Sequence, residues 1–505
     1  MNLLRQRTAM LGAVLLVLGG RASAQIIPIR TVPLAQGDQF LLFPSSNLGM
    51  GGVSIALSDS LFDPFRNPAL GVRVDAAHLF VAPTAYSSSR ETGGGRTLPI
   101  ALIARTGAWF GGFAGAVQQI ERSRPFSFSP PFAVALPRGG PVATQDVASD
   151  NRSHGNSYAF ATLGKSLGVT GVSVGGSVQW STLHALDGVD LLYPGSQGLS
   201  QSGHVLDLRL GLNKEWSGNR SLEILALHDR FAMTQDVSYI DVFWDPGLQQ
   251  FVQAPRVERN RDRNRTTGLH VAYQRPLTST GWRIGLIGTA NIVSSPRIAT
   301  NEIVTVPRDQ GRATALNLGV GFSKTRGLAL FGVDVVYEPI WSNSWAVADV
   351  PMLTVGGETI PAGGRTIVNR FRFSNVVLRL GVAQEMALTN LQKAVRLDLG
   401  LGVRSMHYRL TQEDRLAATE HPLRNSWVEW SPTWGLSLRF PDLELRYRGR
   451  VLNGTGRPSP SFNFGGPVPL DSFAPNNLVV TPGETINLAG VTTITHQISL
   501  SLPLR

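Results

Sequence analysis

The side chains best suited to chemistry in this chain are charged and alternate with apolar ones. Arg396, Asp398 and Arg404 share one face of a segment whose other face carries Val395, Leu397, Leu399, Leu401 and Val403. Glu444, Arg446 and Arg448 oppose Leu443, Leu445 and Tyr447, while Ser437 and Arg439 oppose Trp434, Leu436, Leu438 and Phe440. Asp207 and Arg209 oppose Leu206, Leu208, Leu210 and Leu212 in the same way. A period of two belongs to strands. Neighbouring strands would bring Arg396, Asp398 and Arg404 beside Arg439, Glu444, Arg446 and Arg448 as cross-strand pairs. Such a network grips another part of the chain, or lets small ions through, or simply fills the space it faces. No nucleophile elbow, H-E-x-x-H helix or phosphate loop is expected, so the chain is read as a non-enzyme without a cofactor. His154, His184 and His204 fall near the ends of neighbouring segments; they are either ordinary polar residues or a meeting point for a metal, and no metal is assigned.

Two clusters of aromatics fall in stretches that read as loops, where apolar exposure points to binding or to packing between loops. One holds Phe126, Phe128 and Phe132; the other holds Phe243, Trp244 and Phe251. Trp341 and Trp345 fit a belt at a membrane surface.

The elements that must position these residues begin after a leader. Arg5 and Arg7 precede the apolar run Ala9–Leu18, and Ala22-Ser23-Ala24 has the small residues that a signal peptidase needs. Residues 1–24 are therefore expected to be removed, with cleavage before Gln25. The run is too short for the ~20 residues of a membrane-spanning helix. With no cysteine there is neither a disulfide framework nor a lipoprotein anchor. The net charge of +11 is almost all arginine, for only Lys165, Lys214, Lys324 and Lys393 are lysines. Scattered arginines without a recognition motif exclude a nucleic-acid reading. They suit anionic outer-leaflet lipid, or reflect a compositional preference for arginine.

Alternating segments fall near 74–86, 97–106, 109–121, 155–167, 170–184, 202–213, 220–236 and 262–276. They continue near 281–295, 311–324, 327–341, 368–386, 394–411, 424–440, 442–453 and 490–503. Short connections alternate with long ones, the latter at 122–154, 185–201, 237–261, 296–310, 342–367, 412–423 and 454–489. Short turns on one side and long loops on the other mark an outer-membrane β-barrel, and charges facing lipid at mid-depth would cost ~2–4 kcal/mol each. The charged faces must then look into the lumen, which is expected to be polar. The fold class is all-β, a transmembrane antiparallel barrel of 14–16 strands with sixteen counted.

Between leader and first strand lies Asn47–Leu70, NLGMGGVSIALSDSLFDPFRNPAL. Gly49, Gly51 and Gly52 around Met50 permit a tight fold, Asp59 and Asp63 favour turns, and Pro64 and Pro68 stop any longer element. The stretch reads as a compact plug ending at the corner Asn67-Pro68-Ala69. The pattern GMGG, an acidic turn, then NPA-L resembles the N-terminal region of the FadL-like outer-membrane transporters of long-chain fatty acids and other hydrophobic compounds, and of the related PorV-like barrels that serve a protein-secretion system. The sequence departs from them with Ser58-Asp59-Ser60 in place of paired acids and with Arg66 in place of an aromatic.

The resemblance implies a plug over 25–71 inside a barrel over 72–505, in the outer membrane of a diderm bacterium. It implies passive uptake of a hydrophobic small molecule, captured by the aromatic loops and released through a lateral opening at a kink in the third strand, here carried to Gly111 and Gly112, glycines that otherwise ease curvature or pack against the plug. The alternative is a binding scaffold for secretion-system or surface-attachment proteins. Barrels of this kind also resemble one another in a final strand read by the barrel-assembly machinery. Here Ile494, Ile498, Leu500 and Leu502 alternate with Thr495, Gln497, Ser499 and Ser501, but the chain ends Leu502-Pro503-Leu504-Arg505 without the usual aromatic.

Overall fold

The computed structural model describes residues 26–43, 46–58, 63–123, 153–168, 171–193, 196, 198–245, 247–277, 281–296, 305–306, 310–388, 393–458 and 488–504. The alternating segments form antiparallel strands, each paired with the next in sequence. The first, β1, is broken into Ala77–Val81 and Thr84–Ser88. It is followed by β2 (Gly94–Thr106), β3 (Trp109–Glu121), β4 (Ser153–Ser166), β5 (Val172–Leu183), β6 (Gly198–Trp216), β7 (Arg220–Asp245) and β8 (Gln250–Pro276). Then come β9 (Trp282–Ser295), β10 (Gln310–Arg326), β11 (Ala329–Val347), β12 (Arg365–Leu388), β13 (Lys393–Asp414), β14 (Thr419–Phe440), β15 (Leu443–Pro458) and β16 (Leu488–Leu504). Both halves of β1 pair with β16, so the sheet closes. The break in β1 is at Ala82-Pro83, across from Pro99, but the register is the same on either side of it. Proline has no N–H to give to a ladder, so Pro83 and Pro99 each remove one donor, while the Ala82 amide still donates to the Pro99 carbonyl at 3.1 Å and the Ile498 amide to the Pro83 carbonyl at 3.0 Å. Of eighteen paired segments, two are the halves of β1 and one is the two-residue piece Thr305–Val306, parallel to β8, which leaves sixteen strands in the ring.

The alternation sorts side chains as the pattern demands. On β13, Leu397 and Leu399 are 46% and 61% exposed on the outer face, while Asp398 between them is 2% exposed. The same outward row recurs around the ring at Leu208 and Leu210, Leu286, Leu318, Val335 and Ile498. Apolar exposure on this scale belongs against hydrocarbon. At the short-turn edge Lys165 lies over Trp109 at 4.9 Å, Lys324 over Trp282 at 4.8 Å and Lys214 near Trp216 at 5.8 Å. Amphipathic rings capped by cations mark a lipid–water boundary. No helix among the described residues is long and apolar enough to cross a membrane.

Several long connections are shorter than expected. Residues 237–261 are mostly strand, because β7 and β8 stay paired as far as Asp245 opposite Gln250. Each arm satisfies the other's backbone groups, so the hairpin continues well beyond the ring. Asp414 pairs with Thr419, and its carboxylate accepts from the Leu416 and Ala417 amides at 2.9 and 3.0 Å, which reduces 412–423 to a tight turn. Within 342–367, Met352–Leu353 and Thr359–Ile360 make a small hairpin of their own.

Candidate functional site

The candidate site is the inner face of the ring, where side chains from most strands meet the segment that precedes β1. That segment has a one-turn helix at Asp63–Arg66 and 3-10 turns at Ser46–Met50 and Pro68–Arg73. At its tightest point the Gly51 amide donates to the Thr433 hydroxyl at 2.8 Å, and that hydroxyl donates to the Gly49 carbonyl at 2.8 Å. Gly51 has a φ of +70°, and Gly52 one of +75°. A Cβ on Gly51 would lie 2.5 Å from the Leu380 carbonyl oxygen, so the position needs glycine on both counts. Met50 is fully buried, with an Arg396 Nη2 at 3.1 Å from its sulfur. A few residues on, the Ser54 and Ile55 amides donate to the Asp334 carboxylate at 2.7 and 3.2 Å. Asp334 is fully buried on β11, and Arg379 approaches it at 3.9 Å.

The corner Asn67-Pro68-Ala69 is fixed by the same means. The Asn67 side chain caps the 3-10 turn by accepting from the Ala69 amide at 3.1 Å. Ser173 on β5 donates to the Ala69 carbonyl at 3.0 Å, and Arg209 on β6 donates to the Arg66 carbonyl at 3.0 Å. Arg73 meets Glu215 at 2.7 Å, Glu223 at 3.6 Å and Asp63 at 3.7 Å. Arg66, which replaces an aromatic of the resembled families, joins the same cluster through Asp63 and Glu223. Phe65 stacks on Phe43 at 4.3 Å and meets Phe80 and Phe160 of the wall.

The inner face is not uniformly polar, contrary to expectation. On the long-loop side, Tyr158, Leu183, Val205, Phe231, Met233, Val237 and Tyr239 form one buried cluster with Leu42. Opposite, Ala315, Ile340, Phe371, Phe373, Tyr408 and Leu410 bury Ile27 and Ile29. The charged layer lies nearer the short turns. The alternation gives only which residues face inward, and at these heights the inward positions are apolar because they cover apolar residues of the segment.

The charged residues singled out from the sequence do face inward, but they form separate groups. Arg396 pairs with Asp398 at 2.7 Å. Arg446 pairs with Glu444 at 2.7 Å, and Arg439, half exposed at the short-turn edge, reaches Glu444 at 3.6 Å. Arg448 is buried beside them. Arg404 joins neither group; it meets Glu338 of β11 at 2.5 Å. Register explains this, since Arg404 lies opposite Glu429, far along β13 from Arg396. Sequence reasoning placed Arg209 on the charged face but not its hold on Arg66, and it missed Asp334, Thr433 and Ser173. It also missed two ion pairs that hold the segment near its start, Arg30 with Glu429 at 2.5 Å and Asp38 with Arg450. Single polar residues on separate strands carry no local motif.

Gly111 and Gly112 do not open the wall. Both lie in unbroken ladders, Gly111 opposite Ala104 and Leu163, and Gly112 opposite Ile103 and Thr162. A Cβ on Gly111 would meet the Thr162 carbonyl oxygen at 2.7 Å, and one on Gly112 the Leu102 oxygen at 2.3 Å, so glycine here serves close strand packing. A groove of about 600 Å³ lies on the outer face beside the break in β1, lined by Pro83, Ala85, Leu98, Val117, Tyr447 and Ile498. Phe243, Trp244 and Phe251 are in paired strands, Trp244 opposite Phe251 and Phe243 opposite Val252, and not in a loop. Phe126, Phe128, Phe132 and Asp59 lie outside the described residues. The His204 ring stacks on the outward Trp180 at 5.1 Å, and among the described residues no three metal-ligating side chains converge. Gly171-Val172-Ser173-Val174-Gly175 has the letters of a nucleophile elbow, but its serine sits in a barrel strand and holds Ala69.

Asp187, in the connection between β5 and β6, accepts from the Gly37 amide at 2.5 Å. Burial pushes its carboxyl up to about 7, against the pull of that amide, and Asp190 adds to the rise. The folded state therefore binds this proton more tightly than the free chain, so burial of this carboxyl favours folding at low pH and that contribution is lost as pH rises through about 7. Protection of the amides around Gly37, taken relative to the intrinsic base-catalysed exchange rate at each pH, is expected to fall from pH 4 to pH 8 in the wild type, and Asp187→Asn to flatten that fall; an equally steep fall in the variant would count against the assignment.

Neither a protein-family model nor a curated protein sequence matches the chain. Among solved structures it is similar to a Pseudomonas aeruginosa FadL homologue at 10% identity, with 91% of this chain and 98% of that one covered and a TM-score of 0.45. It is also similar to the Ralstonia pickettii toluene transporter TbuX at 11% identity, with 92% and 100% covered and a TM-score of 0.37. A bacterial polysaccharide outer membrane secretin is similar at 6% identity, with 85% and 99% covered and a TM-score of 0.40.

Proposed function

We propose that this chain is a plugged outer-membrane barrel that passes hydrophobic small molecules, such as long-chain fatty acids, without an energy source. In this reading residues 1–24 are a signal removed on export, 25–71 are the plug and 72–505 the barrel. The layering of the inner face carries the proposal. A ring of sixteen strands is wide enough for an aqueous channel. Here its long-loop half is lined by Phe231, Met233, Phe371 and Phe373, which favour an apolar guest over water. Below them the charged layer ties down Asn47–Leu70 and keeps bulk solutes out. A guest entering from the loop side competes with Leu42, Ile27 and Ile29 for the apolar wall, and displacing them loosens the segment. Lateral release is expected at the groove beside Pro83, not at Gly111 and Gly112.

The test is uptake of a labelled fatty acid and a labelled aromatic hydrocarbon by cells with and without the gene. Faster uptake with the gene is expected for at least one of them, and Ala85→Trp, which fills the groove, is expected to slow it several-fold. Equal uptake of every compound with and without the gene would remove the basis for transport.

A binding scaffold for envelope proteins is the second reading, favoured by one observation. The small hairpin on the long-loop side exposes Val350, Leu353 and Val355, the last to 83%. Stable co-purification of large envelope partners that is lost on Val355→Asp would favour it.

A further inference from the structure

Three arginines stand side by side on the outer face of the ring. Arg372 on β12 is directly opposite Arg409 on β13, which is directly opposite Arg424 on β14. All three are exposed. Like charges in facing positions repel, and adjacent strands at ~4.8 Å spacing put the outer two only ~10 Å apart. No ion pair engages any of them among the described residues. Two carboxylates lie two outward rows further out on the same face: Glu413, held by Arg370 and Arg415 at 2.9 Å each, and Glu420 opposite it, ~13 Å along the strand from Arg424. Trp341 of β11 extends the row, opposite Arg372.

The row's height on the wall identifies what would neutralise it. Leu378, Val403 and Trp430 form one apolar outward row, and Val376, Ser405 and Val428 the next. Ser374, His407 and Ser426 follow, and then the arginines. The arginines are thus two rows, or ~13 Å along the strands, beyond the last apolar row, which is ~10 Å along the normal of a tilted barrel wall. Their long side chains reach the depth of lipid headgroups, beside the Trp341 indole, of the kind that collects there.

We propose that Arg372, Arg409 and Arg424 form a binding site for a phosphorylated lipid of the outer leaflet. Guanidinium forks pair with phosphate oxygens two at a time, and three in a row suit a headgroup carrying more than one phosphate. The proposal rests on the reading of this chain as an outer-membrane barrel and goes beyond transport. The test uses the full chain in nanodiscs of phosphatidylcholine doped with bisphosphorylated lipid A or its dephosphorylated form, with retained lipid read by native mass spectrometry. Preferential retention of the phosphorylated form is expected. The triple change Arg372→Gln, Arg409→Gln, Arg424→Gln is expected to reduce it roughly tenfold or more. Arg275→Gln, at the opposite edge, should leave it unchanged. Equal retention by the triple variant would overturn the proposal, and displacement of the lipid by millimolar inorganic phosphate would assign the site to the free ion instead. Failure of the chain to enter nanodiscs at all would count against the membrane reading, a separate result.

Discussion

Asp334→Ala is expected to free the N-terminal segment while leaving the barrel closed. The carboxylate is the acceptor for both the Ser54 and the Ile55 amide, and it is fully buried. Hydrogen bonds to a charged group contribute ~1.5–3 kcal/mol each, and buried amides left without an acceptor add a penalty. A loss of about 3 kcal/mol lowers the docked-to-undocked ratio roughly a hundredfold. The ladders of β11 with β10 and β12 do not depend on this side chain. Limited proteolysis should therefore cut between residues 46 and 58 in the variant and not in the wild type, and planar-bilayer conductance should rise. Asp334→Asn, which keeps an acceptor without the charge, should fall between. Unchanged proteolysis and conductance in Asp334→Ala would mean that the segment is held elsewhere.

Gly400→Val should release the segment more completely. A Cβ at Gly400 would lie 2.0 Å from the Gly51 nitrogen and 2.2 Å from the Met50 carbonyl carbon. The overlap is with backbone, so no rotamer change relieves it, and Gly51 has no room to retreat between β12 and β13. The β12–β13 and β13–β14 ladders run past Gly400 in register and should survive. The expected result is a folded barrel whose conductance matches that of a chain lacking residues 26–61. Gly288→Val is the control, because nothing lies within 4 Å of a Cβ there. If the two variants behave alike, contact with the segment is not what keeps Gly400 a glycine.

Two glycine pairs show what the sequence could and could not convey. The strands were legible because period-two alternation of residues such as Leu397, Asp398 and Leu399 is imposed by the ring itself, and the sixteen strands counted match those of the structure. Gly111 and Gly112 drew attention as adjacent glycines in a strand, yet there they only let neighbouring strands pack closely. Gly381 and Gly400 are the informative ones. They occupy inward positions where the pattern calls for a side chain, and each has the Met50–Gly51 backbone in front of it. An inward glycine in an otherwise regular strand is thus a readable sign of a second chain segment close by. The partners of Asp334 and Arg404 were not readable, because they depend on register between strands distant in sequence. The length of the β7–β8 hairpin was hidden for a similar reason, since Asp241–Asp245 pair with Gln250–Ala254 through a register that no local pattern sets.

All of the lysines sit at one edge of the ring. Lys165 ends β4, Lys214 is next to the β6–β7 turn, Lys324 is next to the β10–β11 turn and Lys393 begins β13. An amine-reactive dye that cannot permeate a bilayer would therefore label Lys165, Lys214 and Lys324 of reconstituted barrels from one compartment only. The labelled fraction would report which way the molecules point in a vesicle, with no tag added.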